Sequence, residues 1–312
     1  MPIKIVSPSE PVDIRNVKVL LMGQPGIGKT TLANTANKPL LLDFDGGSYR
    51  SLNRQPTVNI DKWSDVESIS RDDVAGFKTI VIDTIGRCLD VISDDLMSKD
   101  PKMSAGGQLS LRGYGALKMR FRAWLNRLTL WDLDVVMLAH TKEESRDDDT
   151  VFRVDAQGSS KEEVYKQADM MGRLFSSGGK RVLDWNPTDA GFGKNPGELE
   201  TSVVPHVSSD SAFLKSQIET TLDRLCSNAN SIQRQKERID ELHSEWAQKL
   251  TTATAFNRKM QELIDANAPF TEKKLLLKVA DNADVMFDRT AKAFVSVDRI
   301  AEEEEAVEEG AF

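Results

Sequence analysis

The chain has 312 residues, 39% of them hydrophobic and 29% charged, with a formal net charge of −8. That profile suits a soluble protein with one sizeable core and an appendage, or two modest domains. No apolar run approaches the ~20 residues that span a bilayer, and Met1–Ile5 lacks the basic-then-apolar pattern of a secretory leader, so a cytoplasmic protein without membrane attachment is expected. Cys88, Cys226, His140, His206 and His243 are too scattered for a disulfide framework or a Cys-rich zinc site. The acidic balance excludes a protein that coats nucleic acid with its whole surface.

In chain order, Val17–Met22 reads as a first strand, followed by a helix from Lys29 to about Asn37, where Lys38-Pro39 stops it. Leu40–Asp45 is the second strand, ended by Gly46-Gly47; Thr79–Asp83 is the third and Val135–Ala139 the fourth. These runs are almost uninterrupted by polar residues, as expected for strands covered on both faces. A helix over Tyr114–Leu130 carries Lys118, Arg120, Arg122 and Arg127, and Arg181–Trp185 and Thr201–Val204 add further strands. The alternation of apolar runs with helical patterns predicts an α/β domain with a mainly parallel sheet over residues 1–210. From about Ser211, Ile218, Leu222, Leu225, Ala229, Ile232, Ile239, Leu242 and Trp246 recur at spacings of three, four and once seven. Asn267-Ala268-Pro269 breaks that pattern and Thr271 caps a helix running to about Ile300, which predicts an α-helical hairpin over residues 211–300. Glu302, Glu303, Glu304, Glu305, Glu308 and Glu309 make residues 301–312 an acidic tail, read as a solubilising segment, as a nucleic-acid mimic that occupies the chain's own basic groove, or as a hook for a partner.

Gly23-Gln24-Pro25-Gly26-Ile27-Gly28-Lys29-Thr30 matches G-x-x-x-x-G-K-[ST] at every required position, between an apolar strand and a helix. Glycines let the backbone curl so that successive N–H groups face phosphate oxygens, where the helix N-terminus adds its positive dipole. Lys29 then neutralises the β- and γ-phosphates and the Thr30 hydroxyl is a ligand for Mg²⁺, so the expected ligand is Mg-ATP on Gly23–Thr30 with Thr31 alongside. Asp83 closes the third strand, where a carboxylate meets the metal through water, and Thr84 follows it. Hydrolysis also needs a group that polarises the attacking water. Asp43 and Asp45 end the second strand, and a strand neighbouring the P-loop strand would aim one of them at the γ-phosphate; they share a face, so the sequence does not choose between them. His140 stands just beyond the fourth strand, placed to sense the γ-phosphate.

The motifs Gly23–Thr30, Leu41–Gly46, Val81–Thr84 and Leu138–His140, with weaker echoes at Ala168–Met170 in a surrounding helix and Pro187–Asp189 leading to Gly193–Pro196, resemble the RecA-type branch of P-loop ATPases. More closely they resemble compact bacteriophage-encoded RecA-like ATPases that act in recombination or single-strand annealing. The resemblance covers residues 15–205. It implies an ATPase, with Lys29, Asp45, Asp83 and His140 as the catalytic set and Asp45 where the family has a Glu one methylene longer. It implies single-stranded DNA as a partner, contacted by loops at about 98–113 and 141–160, although Asp147, Asp148 and Asp149 in the second would repel phosphate. It further implies a homo-oligomeric ring or filament in which a neighbour supplies a basic residue, with Lys194, Lys180, Arg181 and then Arg173 as candidates. The C-terminal helices are then a place for a replication or recombination partner. The alternative is a nucleotide-switch scaffold that binds a protein through those helices and touches no nucleic acid; low aromatic content and the acidic balance favour it.

Overall fold

The computed structural model describes residues 12–146, 149–156, 160–189 and 191–297. Asp147, Asp148 and the acidic tail lie outside these residues. The elements are β1 (Lys18–Gly23), α1 (Lys29–Ala33), β2 (Pro39–Asp43), β3 (Thr57–Asn59), α2 (Trp63–Ser68), β4 (Thr79–Asp83), α3 (Ile85–Lys99), β5 (Ser104–Ala105), β6 (Gln108–Leu109), α4 (Leu111–Leu130), β7 (Asp134–Arg146), β8 (Asp149–Val154), α5 (Ser160–Gln167), β9 (Met170–Ser177), β10 (Lys180–Asp184), β11 (Ser202–Val203), α6 (Phe213–Lys249), α7 (Ala253–Asp265), α8 (Phe270–Asp281), β12 (Val285–Asp288) and β13 (Ala293–Ser296). No described helix is long and apolar enough to cross a membrane. Contacts divide the described residues into one unit of Asp13–Ser227 and another that holds those from Asn228 onward.

The first unit is the expected α/β domain. Its main sheet runs β11-β10-β9-β1-β7-β4-β2-β3, with β8 folded back on β7. The six strands from β9 to β3 pair in parallel, and β10 and β11 close one edge in antiparallel fashion. Alternation along the strands sends Leu20, Met22, Leu42, Ile80, Ile82, Val135 and Met137 into one core, where they meet α3 and α4 through Ile85, Leu89, Ile92, Phe121 and Leu125. Val19, Leu21, Leu41, Val81, Val136 and Leu138 enter the other, with Leu32 and Ala33 of α1, Trp185, and Leu214 and Ile218 of α6. The unbroken apolar runs in the sequence are the signature of this two-sided burial.

Several sequence expectations change. The second strand is separated from β1 by two others, β7 and β4. The stretch around Ala168–Met170 is a helix end followed by strand β9, which pairs with β1 from Val19↔Met170 to Gly23↔Leu174. The first unit extends past residue 210 to Ser227, because the opening turns of α6 are part of the sheet's core. The helix expected from Thr271 to about Ile300 ends at Asp281 and gives way to the β12–β13 hairpin, after Asp284 adopts a left-handed turn (φ 52°). Within the second unit the described elements are therefore three helical segments and a β-hairpin, with Trp246, Phe256, Leu263, Leu276, Val279 and Phe294 in their own core.

Candidate functional site

The register of the sheet lines up the chemistry along one edge. Gly23 at the end of β1 pairs with His140 of β7, and Asp83 at the end of β4 pairs with Leu138 of β7 on one side and Asp43 of β2 on the other. The loop Gln24–Gly28 then rises from β1 and turns into α1. Gly28 holds φ 96° there, a left-handed conformation, and a Cβ on it would lie 2.6 Å from Arg181 Nη1. A Cβ on Gly23 would meet the Leu174 carbonyl oxygen at 2.6 Å, so β9 can approach the loop only because that residue is glycine.

Over this edge opens a cavity of about 750 Å³, lined by Pro25, Gly26, Ile27, Gly28, Lys29, Thr30, Thr31, Asp45, Asp83, Thr84, His140 and, from elsewhere, Gly47, Arg50, Ser51, Leu52 and Arg181. Lys29 is buried, and its Nζ donates to the carbonyls of Gly23 and Gln24, each at 2.9 Å, and to His140 Nδ1 at 3.0 Å. Burial lowers its pKa to about 8 against the opposing pull of Asp83 and Asp45. An ammonium can only donate, so Nδ1 of His140 is the acceptor and the imidazole is neutral, with its proton on Nε2. Burial and the Lys29 charge both push the His140 pKa down, in keeping with that state. Nε2 faces Asp45 Oδ2 at 3.9 Å, and Asp45 Oδ1 lies 3.8 Å from Arg87 Nε. Lys29, His140, Asp45 and Arg87 thus stand in succession, the first three on the cavity wall.

Thr30 Oγ1 donates to Asp83 Oδ2 at 2.7 Å. Burial raises the Asp83 pKa to about 6, opposed by the Thr30 hydrogen bond and by Lys29. A largely desolvated carboxylate beside a hydroxyl, with a phosphate cradle next to it, is a hard-oxygen donor set that fits Mg²⁺. Thr30 and Asp83 are the residues that would hold the ion, which on a nucleotide supplies neutralisation of phosphate charge.

The two carboxylates that the sequence left equivalent are separated. Asp43 is buried and accepts the backbone N–H groups of Asp45 (3.1 Å), Gly47 (3.3 Å) and Ser48 (2.9 Å), bonds that pull its pKa below the usual range against burial. It holds the turn. Asp45 lines the cavity, brought there by that turn and not by adjacency of strands. Of the cations considered for a neighbouring subunit, Lys194 Nζ is bound to the carbonyls of Tyr165 (3.1 Å) and Ala168 (2.6 Å) in its own chain, and Arg173 lies between Phe152 and Phe175. Arg181 reaches its own cavity, donating to Pro205 O at 3.3 Å. Arg50, Ser51 and Leu52 belong to no motif, and their place just after Gly46-Gly47, past a strand that ends in two aspartates, is what marks them in the sequence.

Residues 15–196, more than half the chain, match the family described as AAA domain. The chain belongs to that family. No curated protein matches it. Among solved structures, the crystal structure of the RadB recombinase is similar over 54% of this chain and 79% of that one, at 14% sequence identity and a TM-score of 0.31. An AAA domain with a P-loop is the architecture of a nucleotide-binding protein.

Proposed function

We propose that this AAA-domain protein is an Mg-dependent ATPase whose nucleotide state controls its grip on single-stranded DNA, in recombination or strand annealing of the bacteriophage type, and that it works as a homo-oligomer. The observation that carries the reading is the hydrogen bond between Lys29 and His140. Lys29 donates to its own loop carbonyls and to His140. An arriving triphosphate competes for that ammonium, and releasing Nδ1 frees His140 to reorient beside Asp45. His140 belongs to β7, whose far half runs out with β8 as a two-stranded ribbon, and the His140 carbonyl accepts the Asp155 N–H at 2.9 Å where that ribbon returns. Asp45 is the group that orients and polarises the attacking water.

The surface next to the ribbon suits single strands. The Arg173 guanidinium lies 5.1 Å from the centre of the Phe152 ring and 4.6 Å from that of Phe175, and Arg153 lies 4.2 Å from Phe192. Arg173 pairs in register with Met22, one residue before the P-loop. Aromatic faces interleaved with guanidinium planes stack unpaired bases while the cations take phosphate. Of the two expected DNA loops, the stretch 98–113 folds into the small β5–β6 hairpin and the start of α4, and the second is this ribbon.

The deciding experiment measures ATP turnover with and without single-stranded DNA, and retention of a labelled oligonucleotide with and without Mg-ATP, using Lys29→Ala as the blank. Stimulated turnover and ATP-dependent retention are expected; neither at low salt sinks the reading. Light scattering with and without Mg-ATP tests assembly, and a monomer in both states rejects the oligomer.

A further inference from the structure

The second unit uses none of the nucleotide chemistry and has a construction of its own. Helices α7 and α8 are joined by Ala266-Asn267-Ala268-Pro269, in which Asn267 takes a left-handed turn (φ 49°) and Pro269 precedes α8 with a backbone that ends any continuation of the first helix. Thr252 starts α7 by accepting the Ala255 N–H, so the boundary before this pair is also encoded. Trp246 from the last turns of α6, Phe256 and Leu263 from α7, and Leu275, Leu276 and Val279 from α8 form one core, closed by Val285 and Phe294 of the hairpin. Two helices joined by a four-residue turn are thus followed directly by a β-hairpin, the order of elements in a helix–turn–helix with a hairpin beside it. Its parts are pinned by polar contacts. Asn257 of α7 exchanges two hydrogen bonds with the backbone of Phe294 (2.9 and 2.7 Å), and Arg238 of α6 holds the buried Glu272 at the start of α8 at 2.9 Å.

Because α8 turns Leu275, Leu276, Val279 and Ala280 inward, its outer face carries Lys273, Lys274 and Lys278. The hairpin turn adds Arg289 and Lys292, both exposed. Of the acids nearby, Glu272 is buried against Arg238 and Asp288 accepts the N–H groups of Thr290 and Ala291 inside the turn, while Asp281, one helical turn beyond Lys278, and Asp284 after it set the C-terminal limit of the basic face. Phe270 is 78% exposed at the start of α8, and Leu277, 37% exposed, lies between the lysines. In a helix–turn–helix the second helix is the one that enters the major groove, with cations on the flanking phosphates and apolar side chains on thymine methyl groups. We propose that this unit binds double-stranded DNA, with α8 in the major groove and the hairpin cations Arg289 and Lys292 on the adjacent backbone, independently of the nucleotide bound by the AAA domain.

The proposal is separate from the single-strand reading, and one set of anisotropy titrations distinguishes them. The full chain, and a form ending before Ala301, are titrated against a labelled duplex and against one of its strands, with the variants Lys274→Glu/Lys278→Glu and Arg289→Glu/Lys292→Glu alongside. All four positions are exposed, so the variants should keep the wild-type circular dichroism and ATP turnover. Each double reversal is expected to weaken duplex binding at least about tenfold and to flatten its logarithmic salt dependence by about two units, one per phosphate contact removed. Lys29→Ala, which removes ATP dependence, should bind duplex as the wild type does. The proposal is overturned if neither length of the chain binds duplex at low salt, if both double variants bind duplex unchanged, or if the reversals weaken only the single-strand complex.

Discussion

Two aspartates two positions apart illustrate what the amino-acid sequence can and cannot say about a single residue. Asp43 and Asp45 share a strand end and a face, so periodicity alone leaves them interchangeable. The fold assigns Asp43 to three backbone N–H groups and Asp45 to the cavity. Asp43→Ala should therefore cost about 2–3 kcal/mol in stability, since buried donors lose their acceptor. Asp45→Asn should leave the melting temperature within about 1 °C and lower ATP turnover about a hundredfold. Calorimetry and a coupled turnover assay on the pair check both halves, and a reversed pattern would exchange the roles. Lys29 and Thr30 follow from the fixed spacing of the P-loop and Asp83 from its place at the end of a buried apolar strand, whereas Arg50 and Arg181 reach the same cavity from segments with no such constraint. Asp134 supplies a second test at this scale. Its carboxylate accepts the Val17 N–H at 2.9 Å, and burial raises its pKa to about 6, with Glu219 reinforcing the shift and Lys78 opposing it. Between the unfolded value near ~4 and 6 the folded protein holds a proton that the unfolded chain has released. The stability tied to that proton is complete below about pH 4 and is lost as pH rises through 6. Asp134→Asn keeps the acceptor for Val17 and removes the titration, so in urea unfolding it should exceed the wild type by about 1–2 kcal/mol at pH 7.5 and match it near pH 4.

At the scale of elements, the strands that read clearly were those buried on both faces with β-branched and leucine runs. Strand β9 does not, because Gly172 and Arg173 interrupt its apolar residues, and only Ala168–Met170 at its start is expected to form structure, as part of a helix. Its sign was the Ser176-Ser177-Gly178-Gly179 turn before Lys180–Asp184, a hairpin signal that places β9 against β10. Gly172 is there for a packing reason. A Cβ on it would come within 2.8 Å of Trp185 Cε3 and 3.1 Å of Leu183 Cδ1, and Trp185 is fully buried. Gly172→Ala should thus destabilise the AAA domain by about 1–3 kcal/mol through overpacking, read as a lowered melting temperature; an unchanged value would mean that the Trp185 ring has room to shift. Helix α6 misled in a different way. Its regular spacing of apolar residues suggested a single hairpin seam, yet Leu214 and Ile218 serve the sheet's core, Ile239, Leu242 and Trp246 serve the core of the second unit, and Ile232 between them is 67% exposed. Ile232→Gln should accordingly change stability by less than about 0.5 kcal/mol, while Leu276→Ala, in the core under the basic face of α8, should cost about 2–5 kcal/mol.

Across the whole molecule, charge is distributed in a way that composition hides. Six glutamates between Glu302 and Glu309 account for most of the net charge of −8, so the rest of the chain is close to neutral and has room for the local basic face on α8 and the hairpin turn. Ser296, the last residue of β13, precedes Glu302 by only six residues, a reach of at most about 20 Å even for a fully extended chain. A short tether gives a polyanion a high effective concentration toward cations near its anchor, and such a segment competes with DNA without needing a shape of its own. Removing Ala301–Phe312 should therefore tighten DNA binding several-fold at low ionic strength, leave ATP turnover in the absence of DNA unchanged, and lose its effect as salt rises past about 0.15 M, where charges more than ~8 Å apart are screened. The double reversal Lys274→Glu/Lys278→Glu should abolish most of that gain, since it removes cations for which tail and duplex compete. If truncation leaves affinity unchanged across the salt series, the glutamates act only on solubility and the basic face is open to DNA at all times.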